Sequence, residues 1–254
     1  RRLRRDDMET AARAARVGNS LLSLVAVFLI VVMFSYGGYS LWDSYMVNQG
    51  AFLGRDLLQY KPADDGSGGG ANYSLEELIA INPDTRAWIT IDDTHIDYPM
   101  VQGETDMEYI NKDVMGEFAL SGAIFLSCLN SGDFTDPYSL VYGHHMDNGA
   151  MFSDVLEFLD GEYFESHQTG TLYLADKTYR ITLFACMEAD GYDPLIYSPG
   201  PDYDNGPLLE YIQTSANQYR DIGLTAEDSI IGLSTCVDAQ TTERAVLFGR
   251  LEEK

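Results

Sequence analysis

The sequence predicts a mainly β fold, one closed eight-stranded β-barrel with peripheral helices, preceded by an N-terminal transmembrane helix. Three observations predict it. No charged residue occurs from Val17 to Trp42. A Gly-rich tract, Asp64 to Gly70, separates that stretch from the rest. From Ala87 onward, short β-branched and aromatic runs alternate with Gly- and Asp-rich separators. At 254 residues and 45% hydrophobic composition, the chain can bury a sizeable core.

In the N-terminal segment, Leu21 to Phe34 is almost wholly apolar, and 26 uncharged residues as helix reach about 39 Å, enough to cross a bilayer core. A buried core helix would show a polar face, and none appears before Ser35. A cleaved signal peptide would have a shorter apolar region ending in an A-x-A-like site, for which Ser35-Tyr36-Gly37 is a poor substitute. The expectation is an uncleaved signal-anchor. Six arginines (Arg1, Arg2, Arg4, Arg5, Arg13, Arg16) precede the span, and the next basic residue is Arg55. The positive-inside rule then puts the N-terminus in the cytoplasm and the remainder outside the plasma membrane, with Trp42 and Tyr45 at the outer interface. The chain divides into a cytoplasmic basic segment (1–18), a transmembrane signal-anchor (19–42), a stalk and linker (43–72) and an extracellular folded domain (73–254).

Within the stalk, helix can continue to Pro62, and Asp64 to Gly70 reads as flexible linker. Ser74-Leu75-Glu76-Glu77 has the form of a capping box, with Ser74 as N-cap of a helix to about Ile81 that Asn82-Pro83 stops. Strands follow at 87–91, 95–100, 123–127, 138–142, 171–175, 179–187, 229–235 and 244–251. Helices interrupt them at about 151–159 and 207–219.

Charge and cysteine content exclude several functions. Sixteen Lys and Arg against 40 Asp and Glu give −24, and the basic excess is confined to the first 42 residues, so nucleic acid is not an expected partner. Three cysteines without a C-x-x-C pair exclude a zinc ribbon, and four histidines without H-E-x-x-H leave no zinc-protease signature. The acids show no EF-hand spacing. No metal and no cofactor are expected.

Two stretches carry the candidate chemistry. Leu140-Val141-Tyr142-Gly143-His144-His145 is an apolar strand running into glycine and a histidine pair. Ile231-Gly232-Leu233-Ser234-Thr235-Cys236 is a strand ending in cysteine, with Arg244 eight residues on. Cysteine, histidine and arginine together suit thiol acyl transfer. A thiolate attacks a carbonyl, an imidazolium protonates the leaving amine, and a guanidinium stabilises the oxyanion. Each piece has a plainer reading. A cysteine in an apolar strand is a small buried hydrophobe, which is how Cys186 reads, and Cys128 is buried or half-exposed. The histidine pair could be a polar loop, Arg244 an edge charge, and two of the three cysteines a disulfide. On residues alone, Cys236 is only modestly favoured as the reactive thiol.

The run Asn82-Pro83-Asp84-Thr85-Arg86-Ala87-Trp88-Ile89-Thr90-Ile91, followed by His95-Ile96-Asp97-Tyr98-Pro99-Met100-Val101-Gln102-Gly103, resembles the opening of class B sortases. Ser121-Gly122-Ala123-Ile124-Phe125-Leu126, Tyr142-Gly143-His144, and Leu233-Ser234-Thr235-Cys236 with Arg244 resemble later motifs of that family, in order, over about residues 74–252. The segment 207–219 is similar to the family's helical insertion before the cysteine strand. The resemblance implies a sortase-type barrel and a membrane-anchored cysteine transpeptidase. It implies Cys236 as nucleophile, His144 as general acid and base, and Arg244 as the oxyanion and substrate-positioning group. Ser234 and Thr235 would contact the sorting peptide, and Asp238 would orient His144 as an accessory residue. Ser127-Cys128 departs from the family pattern, where a polar or acidic residue often follows Phe-Leu.

The implied reaction is ping-pong. Cys236 attacks the Thr carbonyl of a C-terminal sorting motif similar to Leu-Pro-x-Thr-Gly or Asn-Pro-x-Thr-Asn on a surface protein. An amine of a peptidoglycan precursor or a pilin then resolves the thioacyl enzyme. The bilayer is itself a partner, because confining enzyme and translocated substrate to one membrane raises their effective concentration. Two rival readings are a membrane-anchored thiol hydrolase or protease, and a catalytically inactive wall-associated scaffold.

Overall fold

The computed structural model describes residues 2–51, 55–63, 72–146, 148–237 and 241–254. The chain divides into two compact units, one ending at Met46 and one beginning at Val47. Helix α1 (Arg2–Ala51) carries the apolar stretch, long and apolar enough to cross a membrane, a property that a signal sequence near an N-terminus shares. Its apolar residues are exposed, among them Leu22, Phe28, Met33, Phe34 and Leu41.

Among the described residues the second unit is built on nine strands: β1 (Thr85–Ile91), β2 (Asp97–Val101), β3 (Ile124–Leu126), β4 (Tyr138–Tyr142), β5 (Thr169–Tyr173), β6 (Thr178–Asp190), β7 (Gln218–Tyr219), β8 (Ser229–Cys236) and β9 (Glu243–Glu253). They hydrogen-bond in the order β5-β1-β2-β3-β4-β8-β9-β6, and β5 also pairs with β6, so eight strands close a barrel while β7 hangs on β6. The expected closed eight-stranded barrel is what forms. Two pairings are parallel, β2 with β3 and β4 with β8; the others are antiparallel.

Alternation along the strands sorts the side chains. On β8, Ile231 and Leu233 enter the central core with Val141 of β4 and Ala245 and Leu247 of β9. Ile230 of β8, Tyr138 and Leu140 of β4, and Val246 and Phe248 of β9 face outward into a second core. That core is covered by α5 (Pro194–Tyr197) and α6 (Asn205–Ser215) through Ile196, Leu208 and Ile212.

A third core lies under α3 (Tyr73–Ile81), where Leu75 and Leu78 pack on Trp88, Val101 and Tyr173. Residues 57–62, which composition assigns to the stalk, pack here as well. Leu57, on α2 (Arg55–Leu58), and Tyr60 join this cluster, and Pro62 is buried. Lys61 Nζ donates to Asp97 Oδ2 at 2.5 Å, and Asp97 Oδ1 accepts from Trp88 Nε1 at 2.8 Å. The Gly-rich tract itself lies outside the described residues.

Three local expectations need correction. Ser74 is not an N-cap: α3 starts at Tyr73 behind Asn72, whose carbonyl accepts from Leu75 N and Glu76 N, and no side chain among the described residues caps the helix. The expected helix over 151–159 is two 3-10 turns, Ser153–Val155 and Glu157–Leu159. Met151 sits at φ 59°, and Ser153 Oγ donates to Ala150 O and Met146 O, which competes with a regular helical start. The α-helix comes later, as α4 (Gly161–Ser166), capped by Asp160 Oδ1 on Glu162 N and Tyr163 N. The helix expected to reach Tyr219 ends at Ser215, because Gln218 and Tyr219 pair with Cys186 and Ala185 of β6. Helix α5, capped by Asp193 with Pro194 in its first turn, was not anticipated.

Candidate active site

Strand register brings the candidate residues together. In the β8–β9 hairpin Cys236 lies opposite Arg244. In the parallel β4–β8 pair Tyr142 lies opposite Ser234, and Gly143 N donates to Ser234 O at 3.1 Å. Continuing that register two residues brings His144 level with Cys236. Tyr142, Ser234 and Arg244 share the parity of the outward residues Leu140, Ile230 and Val246, so this end of the barrel presents them on one outer face. Cys236 and His144 extend the same parity.

Gly143 is needed at this point. A Cβ there would stand 2.5 Å from Ile124 Cδ1 and 2.6 Å from Phe152 Cδ2, both on buried side chains. Only glycine lets β4 leave the barrel wall so closely. His144 is then fixed from two sides: its carbonyl accepts from Phe152 N at 3.0 Å, and its Nε2 lies 3.1 Å from Ile110 O. A carbonyl only accepts, so Nε2 carries a proton and Nδ1 is the nitrogen left to exchange one. His145 has the opposite parity. It pairs with Met151 in an isolated bridge, and its Nδ1 is buried without a hydrogen-bond partner among the described residues.

A cleft of about 380 Å³ opens over this face. Cys236, His144, Arg244, Ser234 and Thr235 all border it, with Asp106, Ile110, Tyr142 and Tyr197. Ser234 Oγ and Tyr197 Oη are 3.1 Å apart, and Tyr197 stacks on Tyr142 with ring centroids 6.4 Å apart. Burial pushes the Tyr197 hydroxyl up to about 12, so it stays protonated at neutral pH. Tyr142 is raised as well, by burial first and the Asp106 carboxylate second. Arg244 Nη1 donates to the carbonyls of Glu243 (3.0 Å) and Thr241 (3.3 Å), which folds the guanidinium over its own hairpin. Thr235 differs from its neighbours: its Oγ1 is buried without a partner among the described residues and, by parity, on the barrel side. Asp238 lies outside the described residues.

The three cysteines are free thiols, so no disulfide forms among them. Cys186 is buried in the central core, its Sγ 3.7 Å from Val155 O, and burial raises its thiol well above the ordinary value. Burial followed by the Asp106 carboxylate also raises Cys128. Cys236 is half-buried at the cleft. Among the described residues no group of three or more His, Cys, Asp or Glu is arranged to hold a metal ion.

Sequence reasoning missed Tyr197, Asp106 and Ile110. All three lie on irregular or very short elements without strand periodicity. Tyr142 was legible only as the residue before Gly-His.

A closed mixed barrel with cysteine, histidine and arginine at one outer cleft holds the groups that thiol acyl transfer uses. No family model matches the chain. It is similar to Sortase B of Listeria monocytogenes, 31% identical over 183 residues that cover 71% of this chain and 74% of that protein. To Sortase B of Staphylococcus aureus it is 26% identical over 91% of this chain and 96% of that protein. Its structure matches a Streptococcus pyogenes class B sortase involved in pilus biogenesis with TM-score 0.64 and 39% identity, covering 70% of this chain and 97% of the other. The chain belongs to the class B sortases, a family of cysteine transpeptidases.

Proposed function

We propose that this sortase cuts a C-terminal sorting motif from translocated surface proteins and joins the new carboxyl end to an amine, with Cys236 as nucleophile. The observation that carries this reading is the register, Cys236 opposite Arg244 and Tyr142 opposite Ser234, beside one cleft that His144 also borders. In the first half-reaction the Cys236 thiolate attacks the motif's Thr carbonyl. Arg244 turns from its hairpin carbonyls toward the oxyanion, and His144 gives a proton to the departing amine. A thioester remains. In the second, an amine attacks the thioester, His144 takes a proton from it, and the Cys236 sulfur leaves. Ser234 and Tyr197 support the bound peptide, and Asp238 is an accessory to His144.

The motif is of the Leu-Pro-x-Thr-Gly or Asn-Pro-x-Thr-Asn kind. The amine belongs to a peptidoglycan precursor or, as the relative involved in pilus biogenesis suggests, to a pilin lysine. Helix α1 serves as a single-pass signal-anchor with its arginine-rich end in the cytoplasm and the barrel outside the plasma membrane. That topology is supported by the six arginines before the apolar stretch. Neither a metal nor a cofactor is required.

The test is turnover of sorting-signal peptides with and without an amine. Cleavage that depends on Cys236 and yields peptide–amine conjugate supports transpeptidation. Release only to water, whatever amine is supplied, would make the enzyme a thiol hydrolase.

A further inference from the structure

We infer that Asp106 forms the subsite for the incoming amine, binding it as an ammonium ion beside His144; this rests on the transpeptidase reading above. Of the described residues lining the cleft, Asp106 is the one carboxylate and Arg244 the one guanidinium. The two fixed charges match the two charges the reaction brings. The acyl donor develops an oxyanion, which suits Arg244. The acceptor arrives as a cation, since a primary amine is protonated at neutral pH, and a carboxylate in the cleft wall suits it.

Asp106 is built in rather than a chance surface acid. Its Oδ1 accepts from Cys128 N at 2.6 Å and its Oδ2 from Ser127 Oγ at 3.3 Å, which fixes it against the end of β3. It is half-buried, and its charge helps raise both Tyr142 and Cys128. Four residues on, Ile110 of the same segment accepts from His144 Nε2. An ammonium on Asp106 therefore shares the cleft with the His144 ring, whose Nδ1, the nitrogen not held by Ile110 O, is left to take its proton. The ammonium gives one proton to neutral His144, and its freed lone pair attacks the thioester carbonyl. As the amide forms, the C–S bond breaks and the second proton passes to the Cys236 sulfur. Three ammonium hydrogens end as one each on the amide, the imidazolium and the thiol.

The experiment compares acceptors on the wild-type and Asp106→Asn enzymes acylated by the same sorting peptide. Asparagine keeps an acceptor for Cys128 N–H, so the turn is retained while the charge is lost. Triglycine and a lysine peptide are cationic acceptors, and hydroxylamine is a neutral one. Asp106→Asn should raise KM for the cationic acceptors roughly tenfold, and Asp106→Glu should recover part of it. Conjugation to hydroxylamine and the rate of acylation should stay within about twofold. Added salt should weaken the use of triglycine by the wild type, and not by the variant. Equal losses with hydroxylamine and with triglycine, or a parallel fall in acylation, would overturn the inference and make Asp106 a peptide-positioning or structural residue. Absence of any thioacyl enzyme in the wild type would instead sink the transpeptidase reading itself.

Discussion

Gly143→Ala tests how strictly the β4 exit is built. The new methyl would sit 2.5 Å from Ile124 Cδ1 and 2.6 Å from Phe152 Cδ2, about 1 Å inside ordinary carbon contact. Neither neighbour can swing aside, because Ile124 is 1% and Phe152 0% exposed. The backbone cannot retreat without losing the Gly143 N–H bond to Ser234 O that aligns β4 with β8. Overpacking of this kind costs about 1–3 kcal/mol, a fall of roughly 2–12 °C in melting temperature for a domain of this size. The activity loss should be larger in proportion. His144 is the next residue, and a displacement near 1 Å in a reacting group costs on the order of 10²-fold. Thermal unfolding followed by fluorescence, alongside kcat/KM on a sorting peptide, measures both. A variant with wild-type melting temperature and wild-type kcat/KM would refute the close-approach argument. A variant destabilised but fully active would refute the link from Gly143 to His144.

His144→Ala should lower kcat/KM by roughly 10²–10⁴, whereas His145→Ala, on the barrel side, should stay within about tenfold; comparable losses would reject the parity argument. Tyr197→Phe removes the contact with Ser234 and should raise peptide KM several-fold with the fold intact, which peptide kinetics would detect. Deleting residues up to 72 removes Leu57, Tyr60 and the Lys61–Asp97 pair, so that protein should melt below one starting near residue 47; equal melting temperatures would mean the 57–62 strap adds nothing. Burial raises Tyr109, Tyr163, Tyr197 and Tyr203 to about 12, against about 10 unfolded. The fold therefore favours their protonated forms, and its stability, complete below about pH 10, should drain away between about pH 10 and 12. Thermal unfolding measured across this range checks it, and a melting temperature unchanged from about pH 9 to about pH 12 would contradict this.

Much of this molecule is legible in its sequence because β4 and β8 are short apolar runs bounded by turn-forming residues. Tyr138–Tyr142 was expected at its observed bounds, and the cysteine strand to within one residue. Alternation along a strand puts His144 and His145 on opposite faces. Period-2 patterning gives the face of a residue but not the neighbour of its strand, so the parallel pairing of β4 with β8 across some ninety residues was not readable. Asp106 and Tyr197 come from a turn-rich connection and a four-residue helix, where tertiary packing alone decides orientation. The role of 57–62 was misjudged for a related reason. The Gly-rich tract after it suggests that the domain has not yet begun, and only Asp97, a residue of β2, reveals where Lys61 docks.

Mass spectrometry of the enzyme trapped during turnover of a sorting-signal peptide tests the central claim most directly. The account predicts a thioacyl adduct on Cys236 that disappears when an amine is added, with conjugate released in equal amount. An adduct on Cys128 or Cys186, or an unmodified Cys236 during active cleavage, would contradict it.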